Sequence, residues 1–305
     1  MIRQGARKMI AFGPIPSRRL GRSLGINNVP PKTCSYSCVY CQLGRTTRMT
    51  TERRPYREPS DICGAVADRV RTASEAGESI DALTFVPDGE PTLDRHLGEA
   101  IEALKPIGKR IAVITNASLL RRTDVRRELG AADWVSVKVD AAGADAWRDV
   151  NRPHRRLDFD VLLDGLLSFA EAFDGVLATE TMLVEGINDR DEQIGRVAAF
   201  VGLLKPATAY LSAAIRPPAE TWAHVPATER LLAAYTSFAE EVGRVELLTG
   251  DEGEAFSSAG GARKSLLAIT SVHPMRSGRS SPSSSGPERT GPSSRNWSRT
   301  GDSSN

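Results

Sequence analysis

The segment PKTCSYSCVYCQLGRTT, Pro31–Thr47, carries Cys34, Cys38 and Cys41 in a C-x3-C-x2-C string, with Tyr40 directly before the third cysteine. One loop of this spacing can wrap three thiolates around a single inorganic centre. Thiolates select zinc, copper(I) or iron–sulfur centres. A structural zinc closes its shell with four ligands, usually in two close pairs; His154 and His224 are distant candidates for a fourth, and neither sits in such a pair. Zinc is therefore the minor reading. An iron–sulfur cubane on three thiolates leaves one iron without a protein ligand, and that corner is open to a substrate or cofactor.

The fourth cysteine, Cys63, lies in PSDICGAVADRVRTA (59–73), an amphipathic helical pattern, and reads as a packing residue. Four cysteines, three of them adjacent, do not form a disulfide framework; local strings of this kind bind metal in reducing compartments. The chain has 40% hydrophobic and 26% charged residues, an ordinary soluble balance. It has no apolar run of the ~18 residues a membrane span needs, and no secretory signal is read at its start. These observations lead us to expect a cytoplasmic protein without membrane attachment.

Outward from the cysteines, β-branched runs alternate with helix-length amphipathic stretches. Strands are expected at 23–29, 81–87, 110–116, 133–140, 175–184, 207–215 and 244–250. Helices are expected between them, as in HLGEAIEALKPIG and FDVLLDGLLSFAEAF. Apolar strands separated by helices predict a parallel sheet with helical crossovers, either closed as a barrel or open and doubly wound. No G-x-G-x-x-G follows the first strand, which weakens the dinucleotide-binding form.

Charge is uneven. Residues 1–57 hold twelve Lys and Arg against one acid, Glu52, although the whole chain is only +2. A basic segment beside an acidic body suggests an anionic ligand near the N-terminus. The expected organisation is a basic arm (1–23), a core (24–270) and a low-complexity tail (271–305). Serine makes up twelve of the tail's 35 residues. Such a segment builds no core and is expected to be disordered; its Ser/Arg/Gly/Pro text is also what a frameshift in GC-rich DNA yields.

The cysteine string with Tyr40 resembles the cluster motif of the radical S-adenosylmethionine (SAM) superfamily. The resemblance implies an α/β fold, a partial (β/α)6 TIM-like barrel, with one [4Fe–4S] cluster on Cys34, Cys38 and Cys41. It also implies SAM bound at the open iron and cleaved by one electron to a 5′-deoxyadenosyl radical that abstracts a substrate hydrogen. PDGEPTL after the second strand resembles the G-E-P motif, so Gly89, Glu90 and Pro91 are expected to meet the methionine amino group. VITNAS and VSVKVDA end strands, which puts Asn116, Lys138 and Asp140 near the C-terminal rim. Lys138 is then expected at the SAM carboxylate, Ser136 or Asp140 at the ribose and Tyr40 beside the adenine.

FGPIPSRRLGRSLGIN (12–27), IRPPAETW (215–222), VNRPH and GIND are similar to a branch related to the wyosine-base synthases, which act on tRNA. Members that join pyruvate to a tRNA guanine carry a second cluster on three further cysteines. Here only Cys63 remains, so that condensation is not expected. Ser17, Arg18, Arg19 and Arg216 are candidates for an anion-binding group at the barrel mouth, since arginine's planar fork suits phosphate or carboxylate; alternatively, Arg18 and Arg19 anchor the arm to the barrel. The expected substrate is anionic, an RNA or nucleotide-like molecule, with a peptide or protein substrate as the alternative enzyme reading. With no flavin or second-cluster signature in the chain, a one-electron donor such as flavodoxin or ferredoxin is expected as partner.

Overall fold

The structure, a computed structural model, describes residues 10–248. Eight strands form one sheet in the order β1 (Ala11–Ser17), β2 (Gly21–Ile26), β5 (Ala82–Phe85), β6 (Arg110–Thr115), β7 (Trp134–Lys138), β8 (Val176–Leu183), β9 (Thr208–Ala213) and β10 (Val245–Leu248). All neighbouring pairs are parallel except β1 with β2. A separate two-stranded sheet pairs β3 (Thr33–Cys34) with β4 (Arg48–Met49). The helices α1 (Pro59–Glu75), α2 (Leu97–Leu104), α3 (Thr123–Leu129), α4 (Ala144–Asn151), α5 (Phe159–Ala172), α6 (Asp191–Leu204) and α7 (Thr228–Glu241) are the crossovers. Six strand-to-helix units run from β2 to α7, and β10 follows them as a seventh parallel strand. The sheet curls into the expected partial barrel.

Strand alternation sorts the two faces of this sheet. Leu83, Ile111, Val135, Leu177 and Leu211 pack with the helices in the main core. Their neighbours Ala82, Ala112, Trp134, Ala178 and Tyr210 meet on the concave face around Leu20, from the turn between β1 and β2. Small and large side chains together fill the lumen there, as barrel interiors require.

Residues 11–17 fall in the stretch expected to be an arm, and they are instead the antiparallel strand β1. Two prolines in AFGPIPS hide the strand pattern; an edge strand tolerates them because one of its sides needs no ladder partner. The pairing shifts register between Phe12 and Ile15. The expectations about the tail at 271–305 lie outside the described residues.

Candidate functional site

A cavity of about 380 Å³ opens where the parallel strands end, the end at which barrel folds bind ligands; its size is that of a small-molecule site. Its wall combines the cysteine loop, the turn after β5 and the C-terminal ends of β6 to β10.

Cys34, Cys38 and Cys41 all line this cavity. Cys34 ends β3, and the Cys41 amide donates to the Cys38 carbonyl (3.1 Å), a turn between the second and third cysteines. Three N–H groups approach the sulfurs. The Tyr36 amide (3.5 Å) and Asn116 Nδ2 (3.4 Å) donate to Cys34 Sγ, and Asn151 Nδ2 (3.5 Å) donates to Cys38 Sγ. Burial, then the Glu90 charge, pushes the Cys34 thiol well up; burial, then Asp140, pushes Cys38 up to about 12. Thiolates here need a cationic partner. Three thiols on one cavity wall, with N–H donors on the Cys34 and Cys38 sulfurs, fit an iron–sulfur centre, whose sulfurs are hydrogen-bonded in this way.

The turn after β5 is locked to the cysteine strand. The Glu90 amide donates to the Thr33 carbonyl (3.0 Å), and a Cβ on Gly89 would lie 2.2 Å from that same oxygen. Only glycine allows this approach. Glu90 is buried and lines the cavity. Its Oε1 accepts from the Thr92 amide (3.1 Å), Thr92 Oγ1 (2.6 Å) and Thr115 Oγ1 (2.6 Å), while Oε2 accepts from the Asn116 amide (2.8 Å). Asn116 in turn donates to Ser35 Oγ (2.9 Å) and to Cys34 Sγ. Glu90 thus ties the G-E-P turn, the end of β6 and the first cysteine into one unit.

Across the cavity Glu180 of β8 holds two cations. Lys138 Nζ donates to Oε1 (2.9 Å), Ser212 Oγ donates to the same oxygen (3.1 Å), and Arg19 pairs with Oε2. Burial opposes the Glu180 charge, but the Arg19 and Lys138 cations outweigh it and hold its carboxyl far below the usual range. Lys138 Nζ also lies 4.8 Å from the Tyr40 ring centre, and Arg19 lies over Tyr210, both cation–π arrangements. The Tyr40 hydroxyl donates to Asp140 Oδ2, which also accepts from Asn151 Nδ2 (2.7 Å); Asp140 Oδ1 accepts from the Met182 amide (2.8 Å).

The structure brings Ser17, Arg18, Arg19, Tyr40, Gly89, Glu90, Asn116, Lys138 and Arg216 to the same cavity as the cysteines. It does not bring Pro91, Ser136 or Asp140 to the wall. Pro91 starts a buried 3-10 turn. Ser136 is buried in β7, and its hydroxyl has no hydrogen-bond partner. Asp140 is buried with both carboxylate oxygens committed, Oδ2 to Tyr40 and Asn151 and Oδ1 to the Met182 amide. Arg19 ties the β1–β2 turn to the Glu180 carboxylate of β8. Arg216 donates to Gln42 Oε1 (2.8 Å), next to Cys41. Cys63 is half-buried on α1, packed against the main core.

Sequence reasoning missed Asn151, Glu180 and Glu220. Asn151 stands inside the VNRPH segment already singled out, and Glu220 inside IRPPAETW. For Glu180 the signal was an acid in the otherwise neutral strand GVLATETMLV, at a position the alternation turns inward.

A family model of the radical SAM superfamily matches residues 28–198. The chain belongs to the radical SAM superfamily. The UPF0026 protein MJ1312 of Methanocaldococcus jannaschii is 46% identical over 269 residues, covering 88% of this chain and 83% of that protein. The UPF0026 protein slr1464 of Synechocystis is 36% identical over 208 residues, covering 68% of this chain and 76% of that one. Among solved structures, TYW1 with a lysine–pyruvate adduct bound superposes with a TM-score of 0.56 at 16% identity, over 73% of this chain and 76% of that chain. At such identity the likeness concerns the fold. Membership in the radical SAM superfamily implies an enzyme that uses a [4Fe–4S] cluster and SAM. Among the described residues no helix is long and apolar enough to cross a membrane.

Proposed function

We propose that this radical SAM protein holds one [4Fe–4S] cluster on Cys34, Cys38 and Cys41, binds SAM in the adjoining cavity and acts on an anionic, RNA or nucleotide-like substrate. The observation that carries the reading is that the three thiols share one cavity with Glu90, Asn116, Lys138 and Tyr40. When bound, the cluster and SAM supply a 5′-deoxyadenosyl radical through one-electron cleavage of the sulfonium. The chain's own residues do the rest. The Glu90 carboxylate and the Gly89 backbone present negative charge and carbonyl oxygen to the methionine ammonium. The Lys138 ammonium offers charge to the carboxylate, and the Tyr40 ring offers a flat face to the adenine. Asp140 holds the Tyr40 hydroxyl and so sets the ring that faces the adenine.

For the substrate, Arg18, Lys32 and Arg216 place cationic side chains on the cavity wall, which supports an anionic group such as a phosphate. A reducing compartment, the cytoplasm, suits the free cysteines, and a one-electron carrier protein is the required partner. The test is 5′-deoxyadenosine formation by the reconstituted, reduced protein with SAM. Its absence sinks the enzyme reading. RNA capture at graded salt tests the substrate class, because phosphate contacts weaken as salt rises.

A further inference from the structure

The side of the cysteine loop that faces away from the cavity is strongly basic. β4 pairs with the strand that ends at Cys34, the Thr50 amide donates to the Cys34 carbonyl (3.0 Å), and the His154 amide donates to the Ser35 carbonyl (2.8 Å). Pro153 forms a bridge with Tyr36. Two short segments, 48–54 and 153–156, therefore cover the backbone of the first cysteine from outside.

Those segments and their neighbour Arg95 carry Arg48, Arg54, Arg95, Arg155 and Arg156, all exposed. The Arg95 amide bonds the Arg54 carbonyl (3.0 Å). Glu52 pairs with Arg54 (2.7 Å), and the charges of Arg156 and Arg95 also reach it. Arg155 and Arg156 depress His154 after burial does. Glu52 is the one exposed acid in these segments; Asp94 beside Arg95 is buried, and Glu58 stands at His96 (4.0 Å). Arg48 lies over the Tyr56 ring (5.7 Å), and Met49 beside it is 36% exposed. None of the five arginines lines the cavity, whereas the cysteine they cover does.

The geometry points to this patch as the docking face for an acidic one-electron carrier protein, one with a reduced flavin or iron–sulfur group. The inference rests on the cluster reading above. A bound cluster needs one electron from outside, and the patch is where a partner comes up against the cysteine backbone without covering the substrate entrance. Charge complementarity speeds and orients such encounters. The carrier's flavin hydroquinone gives up one electron and becomes the semiquinone; the centre on the three thiols gains that electron and its charge falls by one. An RNA substrate is the other anionic occupant to consider, but its reacting atoms must enter the cavity, whose wall contains none of these arginines.

The experiment compares the reconstituted wild type with Arg155→Glu/Arg156→Glu. Binding of an acidic flavodoxin and an acidic ferredoxin is measured by titration calorimetry at graded salt, and of a labelled tRNA by anisotropy. Cluster reduction is followed by visible absorbance with flavodoxin hydroquinone or dithionite as reductant. We expect carrier binding to weaken by about tenfold or more in the variant, one decade being about 1.4 kcal/mol. Wild-type binding should fall with salt, flavodoxin-driven reduction should slow in the variant, and dithionite-driven reduction should stay unchanged. Equal carrier binding by both proteins, no binding of either carrier by wild type, or a loss confined to tRNA each overturns the inference. A wild type that takes up no cluster overturns the underlying reading instead. Equal dithionite reduction shows that the variant is folded and loaded.

Discussion

Arg45 meets both carboxylate oxygens of Glu220, at 2.8 and 2.9 Å, and so joins the cysteine loop to the segment after β9. Arg152, next to Asn151 on the Cys38 thiol, takes the same Glu220 Oε1 (2.5 Å), and the Glu220 amide donates to the Val39 carbonyl (2.9 Å). The carboxylate is buried while the Arg45 side chain is 71% exposed. One acid from IRPPAETW therefore pins the loop between its second and third cysteines and just beyond the third.

Glu220→Gln keeps the shape and removes the charge that both arginines share. The variant should fold, with unchanged circular dichroism, and still take up iron. Its cluster should be lost to a chelator severalfold faster than that of the wild type, because the loop has lost a bidentate, charge-assisted tie. Equal release rates would show that the clasp does not hold the loop.

Cys34→Ala, Cys38→Ala and Cys41→Ala should each abolish the visible absorption of the reconstituted cluster, since a cubane on three protein thiolates has no spare ligand. Cys63→Ala should load normally, because that thiol packs on α1 against the core. If Cys63→Ala alone loses the iron while remaining folded, the three-ligand assignment is wrong.

The sheet was legible because parallel strands buried on both faces read as short β-branched runs; RIAVITN and DWVSVKVD became β6 and β7 almost to the residue. β1 was not legible, because Pro14 and Pro16 erase the alternation. At the site, local signals survived and non-local ones did not. The cysteine string and Gly89 act within a few residues of themselves. Glu180 and Glu220 take their meaning from partners such as Arg19, 161 positions away, and Arg45, 175 positions away. Asp140 was placed at the rim by strand position, and the ribose role of Ser136 or Asp140 came from resemblance. Spacing says which face a residue is on; it does not say whether its polar atoms are already committed.

A pH dependence follows from Asp94, just beyond the G-E-P turn. Burial, opposed by N–H donors from His96 (3.1 Å) and Tyr56 (3.2 Å), raises its carboxyl from 3.8 to about 6. A raised folded pKa means that the protonated form is favoured by folding. The contribution is complete below about pH 4, the unfolded value, and is lost as pH rises through about 6. Relative to Asp94→Asn, the wild type should lose roughly 2–3 kcal/mol of stability across that window, read from denaturant midpoints at each pH. A constant difference between the two proteins would refute the assignment.

The Glu90 carboxylate oxygens accept four hydrogen bonds. Glu90→Gln puts an amide donor where other groups already donate. If the amide oxygen keeps the Oε1 position, the new NH2 faces the Asn116 amide; if it flips, it faces Thr92 and Thr115. One or two buried donors are left unmatched either way, at about 1–3 kcal/mol each. Because Asn116 also donates to Cys34 Sγ and Gly89 is packed on Thr33, the disturbance should reach the first cysteine and the SAM side of the cavity together. The expected outcome is a lower denaturant midpoint, a cluster that still loads, and weaker SAM affinity in a titration of the loaded protein. Thr115→Val, which removes one donor to Glu90 and the acceptor of the Ala117 amide (3.1 Å) but leaves the carboxylate charge, should cost stability with little effect on SAM. If the two variants weaken SAM equally, Glu90 acts as a brace alone and the ammonium must be held by another group.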